Sequence, residues 1–92
     1  MAMPPTLGDR LDDRMWSLGE DAAEVAAIVG ATPLDVERWA EDLDVPGPAF
    51  HWALAEYLGV DVAEIKRLVL RTQMRMVQRP ARPADGAEAA GF

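Results

Sequence analysis

Apolar residues recur along the chain at three- and four-residue intervals rather than alternately, with Gly, Pro or Asp punctuation every ten to fifteen residues or so. The pattern predicts helices and no sheet. Leu7, Leu11, Met15 and Leu18 share one face of a first helix, Leu7 to Leu18, that stops at Gly19. Asp21, with Glu24 three residues on, starts a second helix whose buried side is Val25, Ala26, Ile28 and Val29, and Gly30 stops it. Thr32 caps a third helix whose first position is Pro33, where the missing N–H costs nothing. Leu34 or Val36, with Trp39, Ala40 and Leu43, form its apolar set.

Pro46, Gly47 and Pro48 break the chain, so Asp44 to Pro48 is expected to be a connector. A fourth helix, about Ala49 to Leu58, is the most apolar, carrying Phe50, Trp52, Ala53, Leu54, Tyr57 and Leu58, and it stops at Gly59. Asp61 caps a fifth helix, Val62 to about Gln78, with Glu64 near its positive end and arginines towards its negative end. Pro80 and Pro83 end it. Residues 1–6 are expected to form a flexible arm, 7–79 one domain, and 80–92, small, polar and proline-broken, a disordered tail.

The 92 residues, half of them apolar, suffice for one modest core. With no cysteine, disulfides and thiolate metal sites are excluded and packing must hold the fold. The start of the chain has no signal pattern and nothing later has the length of a membrane span, which predicts a cytoplasmic protein. The net charge of −7 disfavours generic polyanion binding, which is driven by Lys and Arg. Its distribution is uneven. Residues 1–64 carry three bases and fourteen acids, whereas 65–82 carry six bases and no acid.

Several short stretches share their spacing with a known family: LGDRL at 7–11, VAAIVGAT at 25–32, Val36 and Trp39 as inward positions, Pro46, and LAEYLGVDVAEI at 54–65. Together they resemble the Cro and phage-repressor type of helix-turn-helix domain, the XRE family, over about residues 7–65. The resemblance implies an all-α, compact five-helix helix-turn-helix domain, here with an extended basic amphipathic last helix. The turn and recognition helix would occupy about 21–43. It also implies a DNA-binding transcriptional regulator, with Thr32, Pro33, Leu34, Asp35, Glu37 and Arg38 at the positions that read duplex DNA. The chain departs from the family at Ala22, where a polar residue such as Gln is usual. It departs again at Asp42, Leu43 and Asp44, where Gly and bases commonly meet phosphates. Thr32 to Asp44 holds five acids and one base, Arg38. Carboxylates there are expected to face phosphates and weaken binding.

Arg67, Arg71, Arg75 and Arg79 recur every four residues and form a basic stripe along the last helix, a second candidate DNA contact. From about Leu70 the helix is expected to project beyond the core. Leu70, Met74 and Val77 make it a candidate dimer or partner interface, with self-association favoured over docking on another protein and over packing back on the same domain. No Trp or Phe lies in this helix, which disfavours a membrane surface. His51 is the only histidine and has no Ser or Cys placed as its nucleophile, so it is read as structural. No catalytic constellation, cofactor motif or metal loop is found, and no enzyme is expected. Two readings follow: a dimeric DNA-binding regulator, and a protein-protein interaction module or adaptor on the same fold that does not bind DNA alone.

Overall fold

The computed structural model describes residues 4–78. They form five helices, α1 (Leu7–Leu18), α2 (Ala22–Val29), α3 (Pro33–Ala40), α4 (His51–Leu58) and α5 (Val62–Gln78), with a 3-10 turn at Pro48–Phe50 leading into α4. No strand occurs among the described residues, and none of their helices is long and apolar enough to cross a membrane.

Local chemistry sets the helix starts. Thr6, Asp21 and Thr32 each accept a hydrogen bond from the backbone N–H three residues on, while the acid there (Asp9, Glu24, Asp35) accepts from the backbone N–H of the cap. Each such cap contributes about 1 kcal/mol. Gly19, Gly30 and Gly59 end α1, α2 and α4 with φ of 68°, 81° and 73°, the left-handed region that an L side chain resists.

The core is Leu7 and Leu11 of α1, Val25, Ala26 and Val29 of α2, Val36 and Trp39 of α3, Leu54, Ala55, Tyr57 and Leu58 of α4, and Ile65, Leu68 and Val69 of α5. Trp39 also packs on Phe50, ring centroids 5.3 Å apart. The Tyr57 hydroxyl donates to Glu20 Oε1 at 2.7 Å, and burial, then that bond, pushes its pKa far up. His51 is buried, with Nε2 3.3 Å from the Pro46 carbonyl.

Three expected core residues lie outside: Leu18, Ile28 and Leu43 are exposed. Leu43 lies beyond the end of α3 at Ala40 and so leaves its stripe. Between Leu34 and Val36 the core takes Val36, and Leu34 faces out. The start of the expected fourth helix is the 3-10 turn, because Pro48 and Gly47 leave no side-chain cap there. The N-terminal arm is shorter than expected, since Thr6 is buried and caps α1. The tail at 80–92, like Arg79, lies outside the described residues.

Among the described glycines, Gly8 is the one that faces a close approach. A Cβ there would lie 2.5 Å from Asp42 Oδ1, 2.6 Å from the Trp39 carbonyl and 2.8 Å from the Ala40 carbonyl. Glycine to alanine inside a helix ordinarily stabilises by about 0.5–1 kcal/mol. Here the clash outweighs that gain, and Gly8→Ala is expected to destabilise by about 1–3 kcal/mol in urea unfolding. An increase in stability would show that α1 does not seat on the end of α3.

Candidate nucleic-acid interface

Helices α2 and α3 form the helix-turn-helix pair. Ala26, 2% exposed, lets them cross closely, and the Gly30 and Ala31 N–H groups both donate to the Ala26 carbonyl at 2.9 Å. Val36 and Trp39 hold α3 from beneath. The opposite side of α3 therefore faces outward, presenting Pro33, Leu34, Glu37, Arg38 and Glu41 on one continuous surface. Thr32 and Asp35 lie at its start, but their side chains are committed to the capping box, at 3.1 Å to the Asp35 N–H and 3.3 Å to the Thr32 N–H.

The end of α3 differs most from the sequence expectation. Asp42 has φ of 59° and is the only non-glycine among the described residues with positive φ. It occupies the post-helical position where glycine is usual, with the Leu43 N–H donating back to the Arg38 carbonyl at 2.9 Å. Its side chain turns into the protein. The carboxylate accepts from Thr6 Oγ1 at 2.9 Å and pairs with Arg75 Nη1 at 3.2 Å. Asp42 is therefore buried, and it does not face phosphates as the sequence suggested. A buried carboxylate is tolerable only when paired and hydrogen-bonded, which dictates the inward geometry.

The same contact reassigns the basic stripe. Arg75 Nη1 also pairs with Asp9 Oδ2 at 3.3 Å, and Nη2 donates to the Pro4 carbonyl at 3.4 Å. Arg71 reaches the Pro5 carbonyl at 3.4 Å, and Arg67 pairs with Glu64 at 2.9 Å. One turn before Arg75, buried Thr72 accepts from the Leu7 N–H at 3.1 Å and donates to the Leu68 carbonyl at 3.0 Å. Hence α5 does not simply project beyond the core from Leu70. One side packs on α1 through Thr72 and Arg75, while Leu70, Met74 and Val77, 58%, 60% and 84% exposed, line the other. The candidate residues thus fall into separate groups: Thr32 to Arg38 on α3, the arginines on the packed or flanking sides of α5, and the apolar trio on its open side.

Sequence reasoning missed Thr6, Gly8 and Thr72. A usable signal was present for Asp42, an acid standing where a glycine stop is expected after an amphipathic helix. Its partners lie 36 and 33 residues away, beyond any local pattern.

No family model matches the chain, and no curated protein matches it. Two solved structures are similar. One is the P22 c2 repressor in complex with a synthetic operator, with TM-score 0.61, 19% identity, and coverage of 67% of this chain and 94% of that one. The other is the solution structure of the DNA-binding domain of the P22 c2 repressor, with TM-score 0.60, 20% identity, and coverage of 72% and 86%. The fold is that of a helix-turn-helix domain, shared with these two structures. At this identity the likeness fixes the architecture, and it leaves the chemistry to the side chains.

The Asp42–Arg75 pair is measurable as a coupling. Arg75→Met should cost about 2 kcal/mol, because buried Asp42 loses its cation, and Asp42→Asn should cost less, because Arg75 keeps its pair with Asp9. The double variant should cost clearly less than the two costs combined. Strict additivity in denaturant unfolding would mean that the two side chains are not energetically paired.

Proposed function

We propose that this protein is a DNA-binding transcriptional regulator of the helix-turn-helix type, contacting duplex DNA through the outward face of α3 and acting as a dimer. The observation that carries this reading is an α3 fixed to the core by Val36 and Trp39 with its opposite side open, in a fold shared with a repressor in complex with a synthetic operator. Arg38 suits guanine or phosphate, Glu37 suits the amino group of cytosine, and Leu34 suits a thymine methyl. Thr32, Pro33 and Asp35 set the entry of the helix. The inward turn of Asp42 supports the reading by withdrawing one carboxylate from the phosphates and neutralising it with Arg75.

Positive charge on α3 itself is limited to Arg38. Arg75 is spent on Asp9 and Asp42 and Arg67 pairs with Glu64, so Lys66 and Arg71 are the bases of α5 in no ion pair among the described residues and suit a second DNA contact. Dimerisation through Leu70, Met74 and Val77 would double those bases and present two α3 helices to paired half-sites.

One observation favours the second reading, a protein-interaction module that does not bind DNA alone. Glu37, Glu41 and Asp44 are exposed around Arg38, so the surface near α3 is acidic. A single titration separates the two. Fluorescence anisotropy with mixed-sequence duplex DNA at about 50 and 200 mM salt should give micromolar binding that falls steeply at the higher salt. Arg38→Ala should weaken it about fivefold by removing a cation near the phosphates, and Asp44→Lys should strengthen it. Absence of binding at both salts would leave the interaction module as the function.

The dimer has its own test. Leu70→Asp with Met74→Asp should keep helicity, since both side chains are exposed, and convert a dimer to a monomer in sedimentation velocity. A wild-type protein already monomeric at tens of micromolar would remove dimerisation from the proposal.

A further inference from the structure

Helix α4 carries an exposed apolar feature that neither the core nor α3 uses. Trp52 is 69% exposed, and it lines a cleft of about 190 Å³ with Ala55, Val60 and Val62. Glu56 and Asp61 stand at the same cleft. The space is below the roughly 300–1,000 Å³ of small-molecule sites, so it suits a single long side chain rather than a cofactor.

We propose that this cleft is a docking site for a protein partner that inserts an arginine or lysine from a segment otherwise anchored by apolar residues. The chemistry of the cleft selects that occupant. The alkyl stem of a basic side chain can lie on Val60 and Val62 while its charged end meets the two carboxylates. The face of an exposed tryptophan adds cation–π attraction, strongest for this ring among the aromatics. Asp61 keeps one oxygen on the Glu64 N–H at 2.8 Å, which holds that carboxylate in place at the start of α5. Among the described residues, Glu56 takes part in no ion pair, so its charge is available to a partner. Nucleic acid is disfavoured here by the same two acids, and an acidic segment would be repelled by them and by the net charge of −7. The site shares no residue with α3 and does not depend on the DNA reading.

The test uses the full chain, labelled with nitrogen-15, and two blocked peptides of one leucine pattern, one with arginines and one with glutamates between the leucines. The arginine peptide should shift the Trp52 indole N–H resonance, assigned with Trp52→Phe, in a saturable way. Glu56→Lys lies on an exposed turn of α4, so its remaining amide spectrum should be preserved while affinity for that peptide falls about tenfold. The proposal is overturned by equal binding of the glutamate peptide, by undiminished affinity in Glu56→Lys, or by an unmoved Trp52 resonance at millimolar peptide. Movement of that resonance on simple dilution of the protein would also overturn it, by assigning the cleft to a second copy.

Discussion

The pairing of Asp42 with Arg75 joins the parts of this domain that sequence order keeps apart. Asp42 ends α3, Arg75 lies in the fourth turn of α5, and Thr6 and Asp9 belong to the start of α1. The cost of a left-handed aspartate, about 1–2 kcal/mol, and of burying its charge is met because one guanidinium and one hydroxyl converge on it. Gly8 is bare at that point because the two α3 carbonyls and the Asp42 carboxylate leave no room for a methyl group. Helix α3 is thus fixed at its middle by Val36 and Trp39 and at its exit by an ion pair to a distant helix.

This arrangement changes what the charge pattern means. A count of acids and bases suggests an acidic recognition region confronting a basic last helix, as though the two were separate functional surfaces. In the folded chain part of each is spent on the other. What remains outside is a sparser and more local pattern: Arg38 among Glu37, Glu41 and Asp44 on one side, Trp52 beside Glu56 and Asp61 on another, and the apolar row of α5 on a third.

Most of the fold was legible in the sequence because its determinants are short-range. The starts at Asp21, Thr32 and Asp61, and the stops at Gly19, Gly30 and Gly59, each depend on residues within four positions. Helical periodicity also identified Val25, Ala26 and Trp39. It failed for Leu18, Ile28 and Leu43, since a stripe says which residues share a face and not where the core or the helix ends. The candidate interface was less legible. Asp42 and Asp44 are alike in composition and two residues apart, yet one is buried and the other exposed, a difference created by Thr6 and Arg75 at long range.

The placement of the three tryptophans gives the molecule an internal optical reporter. Trp39 is 3% exposed on the inner side of α3, whereas Trp16 and Trp52 are 88% and 69% exposed on α1 and α4. With the two outer rings replaced by phenylalanine, the remaining emission would come from an indole packed against Phe50 beneath the helix-turn-helix pair. Its wavelength and quenching would then register the seating of that one helix, separately from unfolding of the rest of the chain.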